Sequence, residues 1–117
     1  DLSASEFPAR AAYYNHFEQL RDTSHTRALP LSEFMALFTA CGLEVEQVHT
    51  YRLAMPLEAW LANAHTSPER ATRVRELIEQ DMQQDLSGTH PLRKQETIYF
   101  HQCIATIIAR KISAQNA

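Results

Sequence analysis

The sequence predicts an α/β chain that, taken alone, looks α+β: two antiparallel strands with about four helices. Three observations carry this. From Glu96 to Ala109 both alternating sets of positions are apolar, with Ile98, Phe100, Ile104 and Ile108 on one and Tyr99, Cys103, Ala105 and Ile107 on the other. That is the pattern of a strand covered on both faces inside a sheet. Gly42 stands where an apolar helical stripe ends and a β-prone run begins. Most other apolar residues recur at helical spacing behind recognisable start signals.

In chain order, residues 1–6 are small and polar and read as a leading loop. Pro8 suits a first helical turn, and Ala12, Tyr13, Phe17 and Leu20, with Tyr14 beside them, give an amphipathic helix from Ala9 to Arg21. Asp22-Thr23-Ser24-His25 ends it, because such side chains bond to nearby backbone. Pro30-Leu31-Ser32-Glu33 starts a second helix, with Ser32 as N-cap and Glu33 just after it; Phe34, Leu37, Phe38 and Cys41 form its stripe, and Gly42 supplies the positive φ that closes it. Leu43–Tyr51 reads as a strand. Pro56 opens a short helix, 57–64, carrying Trp60 and Leu61 inward. Thr66-Ser67-Pro68-Glu69 is a strong start signal for a helix to Gln84 with Val74, Leu77, Ile78 and Met82 on its buried side. Residues 86–94 form a loop. The last strand then raises a problem: an interior strand needs two neighbours, and only one other is visible.

Length and composition bound the function. A chain of 117 residues is one unit, 1–117, with a helical insertion at about 55–87 between its strands. A net charge of −3, with Arg70, Arg73 and Arg75 interleaved with Glu69, Glu76 and Glu79, excludes a general nucleic-acid grip and reads as a solvated helix face. No apolar run reaches the roughly 20 residues of a membrane span. No signal-peptide pattern opens the chain, so the expected location is cytoplasmic. Cys41 and Cys103 lie in segments that read as buried and suggest reduced thiols.

Three passages resemble class I S-adenosylmethionine-dependent methyltransferases, in the broad group of quinone-biosynthesis-like enzymes. The first runs from Tyr13-Tyr14-Asn15-His16-Phe17 to Asp22-Thr23-Ser24-His25-Thr26-Arg27, similar to a helix followed by an Asp-x-Ser-His-x-Arg turn. The second joins Leu31-Ser32-Glu33-Phe34 to Cys41-Gly42-Leu43-Glu44-Val45. The third, Glu96-Thr97-Ile98-Tyr99-Phe100 through Ala109-Arg110-Lys111, resembles a final strand ending in Ala-Arg-Lys. The resemblance implies the C-terminal part of a Rossmann-like methyltransferase fold, whose last strand is inserted antiparallel between the fifth and sixth. The fifth strand is then expected to end just before Asp1. The donor turn of that family needs a Gly-x-Gly element, and this chain has two glycines far apart, Gly42 and Gly88. S-adenosylmethionine is therefore expected as cofactor of the parent enzyme and not of this chain alone.

The best site candidate is the turn Asp22–Arg27. His25 can orient or deprotonate a methyl acceptor, Arg27 can hold an anionic group on it, and Tyr13, Tyr14 and Asn15 can line the same small-molecule acceptor pocket. The competing reading is structural, with Asp22 and Ser24 capping and Arg27 paired to Asp22. His101 and Cys103 share a strand face but lack the further ligands a metal needs. Asp22, Ser24 and His25, neighbours in one turn, cannot adopt the relay of a hydrolase triad. The apolar strand Thr97–Ala109 invites pairing, so a homo-oligomer through it is expected. The alternative to an acceptor-side methyltransferase fragment is an independent α+β binding or dimerisation module.

Overall fold

A computed structural model describes residues 1–112. Its elements, in order, are β1 (Leu2–Ala4), α1 (Pro8–Arg21), β2 (Leu29–Pro30), α2 (Leu31–Ala40), β3 (Leu43–Pro56), α3 (Leu57–Asn63), α4 (Pro68–Gln84), β4 (Leu92–Lys94) and β5 (Thr97–Lys111). The sheet runs β2-β1-β5-β3, with β4 also pairing β5. β5 is antiparallel to β3 from Leu43↔Lys111 to Pro56↔Tyr99, with a bulge between Val45 and Gln47. On its other edge β5 meets β4 and then β1, the latter at Ser3↔Cys103 and Leu2↔Ile104.

β5 is thus the interior strand its two apolar faces predict, and the missing neighbour is partly present. Residues 1–6 are not only a loop: Leu2–Ala4 form a strand beside β5, where the resemblance places that neighbour's end before Asp1. The open edge begins beyond. Ala105 donates its N–H to the Asp1 carbonyl, and His101 donates to that of Thr89. Odd-numbered residues of β5 therefore turn their backbone to this edge, and past Ala105 no described strand meets it.

The core lies on the face of β5 that carries Phe100. Phe17 of α1, Trp60 of α3 and Phe100 are buried and meet edge to face, with ring centroids 6.0 Å apart for Phe17–Trp60 and for Phe17–Phe100 and 4.7 Å for Trp60–Phe100. This is the favoured geometry of aromatic quadrupoles. α4 closes the core with Ala71, Val74, Leu77 and Ile78, while Met82 is only half-buried. Ser67 caps α4 by accepting from the Arg70 N–H.

α2 departs from expectation. It begins after Pro30, which stands at the cap position, and Ser32 bonds Glu6 instead of capping. None of its residues is buried: Phe34 and Phe38 are half-covered, Leu37 and Cys41 exposed. The stripe is real, but it is only partly covered, and the thiol read as buried is open. The β3–β5 pair is similarly bare in places, with Tyr51, Leu53 and Ile108 exposed. The outline is accordingly elongated, 57 × 25 × 23 Å with a radius of gyration of 16.5 Å, against about 13 Å for a compact chain of 100 residues.

Candidate functional site

A cavity of about 300 Å³ opens at the C-terminal end of β1, the end of a strand where open α/β sheets hold their ligands. β1 and the turn after it contribute Ser3 to Phe7, and α1 contributes Arg10 and Tyr14. Arg52 comes from β3, residues 87–90 from the loop after α4, and His101 and Cys103 from β5. The pairing Arg52↔Cys103 puts Arg52, His101 and Cys103 on one sheet face.

The wall built by residues 87–90 is fixed from below. Buried Asp81 accepts from the N–H groups of Leu86 (2.5 Å) and Ser87 (2.8 Å), and the Ser87 hydroxyl also donates to it. The Thr89 N–H donates to Ser87 Oγ at 3.1 Å. Gly88 sits at φ +78° in this turn, a left-handed conformation that favours glycine. Asp85, also left-handed at φ 50°, lies 3.4 Å from Arg10.

Tyr14 forms the floor. It is buried, its hydroxyl donates to Glu18 Oε2 at 2.9 Å and accepts from Gln102 Nε2 at 3.4 Å. Burial, and then the Glu18 carboxylate beside it, push the phenol pKa far up, so Tyr14 remains a neutral hydroxyl. Glu18 is also held by Arg21 at 3.3 Å, and Arg21 stacks over Trp60 at 4.5 Å from the ring centroid.

His101 has an assigned tautomer. Its Nδ1 lies 3.2 Å from the Thr89 carbonyl. A carbonyl only accepts, so Nδ1 carries the hydrogen and the neutral ring presents Nε2 as its lone pair. His101 also borders a second recess, of about 560 Å³, lined by Ala54, Tyr99 and residues around β4.

The residues singled out from sequence are spread over three environments. Tyr14 lines the cavity just described. Tyr13 instead turns to α4, where its hydroxyl donates to the Leu77 carbonyl at 2.5 Å and burial raises its pKa. Asn15 is a clamp: Nδ2 donates to the carbonyls of Ala11 (3.0 Å) and Ala28 (3.1 Å), and Oδ1 accepts from the Ala28 N–H (2.7 Å) and from His25 Nε2 (2.9 Å). His25 is therefore protonated on Nε2, and Nδ1 is its other nitrogen. Asp22 accepts from the backbone and hydroxyl of Ser24, which hold its carboxyl below the usual range. Arg27 pairs with Glu33 at 2.8 Å, not with Asp22. Asn15 and Arg27 share a recess of about 310 Å³ with Glu6 and Ser32. Arg52, His101 and the 87–90 loop were not legible as a site; the only signal was the spacing of His101 and Cys103. Among the described residues no three His, Cys, Asp or Glu side chains gather as for a metal, and the two thiols are free.

Gly42 closes α2 and Gly88 lies in the cavity wall; neither stands between a strand and a helix N-terminus, where a phosphate-type fold lets backbone approach its ligand.

No family model matches the chain. Over 74 residues it is 31% identical to the uncharacterized methyltransferase YcgJ of Bacillus subtilis (strain 168), a stretch covering 63% of this chain and 29% of that protein. Two crystal structures superpose on 97% of the chain at 24% identity. One is BH2331 of Bacillus halodurans C-125, a methyltransferase by assignment, with a TM-score of 0.86 over 54% of its length. The other is Bacillus subtilis YcgJ, at 0.83 over 50%. The chain has the fold of the C-terminal portion of these methyltransferases and spans about half of each structure.

Proposed function

We propose that this chain is the acceptor-side portion of an S-adenosylmethionine-dependent methyltransferase acting on a small molecule. The observation that carries the reading is the cavity at the end of β1, beside an antiparallel strand placed between β1 and β3. In such enzymes rate comes mainly from holding donor and acceptor in line, with a base where the acceptor must lose a proton. Here Tyr14 supplies the floor, Asn15 and Arg27 flank the neighbouring recess, and His25 offers Nδ1 while its Nε2 holds Asn15. Tyr13 supports from the α4 side. The donor is held by residues outside this chain, so these 117 residues alone transfer no methyl group.

Two measurements test this. Calorimetry of the 117-residue chain with S-adenosylmethionine is expected to show no saturable heat, and stoichiometric binding would refute the division of labour. The natural gene product containing these residues is expected to move labelled methyl from the donor to a small molecule. A natural product of only 13.4 kDa would favour an independent module instead.

A further inference from the structure

We propose that the cavity at the end of β1 takes an acceptor bearing both an anionic group and an ionisable hydroxyl, of the hydroxyaryl carboxylate class, with Arg52 holding the anion and His101 receiving the hydroxyl proton. This rests on reading the cavity as the acceptor site and goes beyond it by naming what it binds. Arg10, the other cation of the cavity, is already engaged by Asp85. Arg52 is different: among the described residues it has no ion-pair partner. A guanidinium presents a planar fork matched to carboxylate. Glu6, the one carboxylate of the lining, is bound by the Ser32 backbone and hydroxyl and is not directed at Arg52.

The register sets the spacing. Arg52 lies opposite Cys103, and His101 is the diagonal neighbour, with their backbones about 7–8 Å apart across the strands. Two neighbours so close on one face and lining one cavity can be addressed together by a single aromatic ring carrying groups at two positions, and about 300 Å³ accommodates it. His101 is oriented for the proton. Its Nδ1–H is fixed on the Thr89 carbonyl and its backbone N–H donates to the same oxygen, while Thr89 is itself held on the Asp81 network. In the step proposed, the acceptor O–H bond breaks, an Nε2–H bond forms on His101, and an oxyanion is left beside an imidazolium. The other titratable groups on that side are His90, exposed and within 3.4 Å of Asp85, and the free thiol of Cys103, opposite Arg52 on the same sheet face.

The probe is 4-hydroxy-3-nitrobenzoate, whose phenolate absorbs in the visible. It is titrated into the full 117-residue chain and, in parallel, into the natural gene product. Saturable binding is expected, with the bound phenol ionising at lower pH than the free probe. Arg52→Gln is expected to weaken binding by about tenfold or more, while the neutral analogue 4-hydroxy-3-nitrobenzamide is unaffected by it. His101→Asn keeps a donor for Thr89; it is expected to leave affinity within about threefold and abolish the ionisation shift, as loss of one proton acceptor should. No saturable binding, equal loss of both probes in Arg52→Gln, or an unchanged shift in His101→Asn overturns the proposal. If the gene product transfers methyl groups while these variants behave as wild type, this assignment fails and the methyltransferase reading stands. If the probe results hold but no methyl transfer is found, the reverse follows.

Discussion

Asn15→Ala separates a site role from a structural one in the Asp22–Arg27 turn. The side chain makes four hydrogen bonds, two of them to the backbone of Ala28, which is 5% exposed. Alanine leaves the Ala28 N–H without its partner, at a cost of about 1–3 kcal/mol for a buried donor, and each further bond adds about 0.5–1.5 kcal/mol at most. Ala11 loses little, since its carbonyl belongs to the helix ladder, so the sum is about 2–6 kcal/mol. Against a total of roughly 5–15 kcal/mol that is a large fraction. At about 4 °C per kcal/mol for a chain of this size, the melting temperature should fall by roughly 8–24 °C. Urea unfolding followed by circular dichroism gives the number. His25→Ala removes one bond from a half-exposed ring and should cost about 1 kcal/mol or less. Asn15→Ala within about 0.5 kcal/mol of wild type, or His25→Ala as costly as Asn15→Ala, would refute the clamp.

Other expectations follow from single features. Gly88→Ala should cost about 1–2 kcal/mol from the left-handed backbone alone, because the added Cβ meets Ser5 and Arg10 only at an ordinary 3.6 Å; equal stability by chemical denaturation would contradict this. The Glu6 carboxyl is held below its ordinary 4.5 by the Ser32 hydroxyl and N–H. Its stabilising share is present above that value and lost as pH falls through the lower folded one. An NMR titration of Ser32→Ala should find it raised, and no change would sink the assignment. In hydrogen exchange, Ile107, Ala109 and Lys111 should exchange quickly and Thr106, Ile108 and Arg110 slowly, since only the latter face β3. Protection of both sets, with a dimer in sedimentation, would mean that a second copy covers this edge, as the homo-oligomer expected from sequence requires.

What could be read from sequence follows pattern length. β5 was legible because fifteen residues display both faces, and α4 because a capping serine, a proline and a four-turn stripe agree. β1, β2 and β4 have three, two and three residues, too short for alternation to appear, and their partners lie far along the chain. Ser32 has every local mark of a cap, yet Glu6, 26 residues earlier, takes its hydroxyl. The cavity was hidden for the same reason: Arg52, Thr89 and His101 are distant in sequence, and only the β3–β5 register and the Asp81-anchored turn bring them together. Asn15 is expected from sequence to line an acceptor pocket; its side chain holds His25 and the backbone of Ala11 and Ala28, and backbone partners leave no mark in a side-chain pattern.

Tyr14 has two neighbourhoods at once. Its ring centroid is 5.2 Å from that of Phe17, and the same buried residue lines the cavity. The base of the cavity is therefore made of the same material as the protein's interior and inherits its stiffness. A guest gains nothing by pushing there, because yielding would require Phe17, Trp60 and Phe100 to move together. If the proposed acceptor enters here, the depth available to it is set by folding itself, and any change to that aromatic trio is expected to retune which molecules fit long before it unfolds the chain.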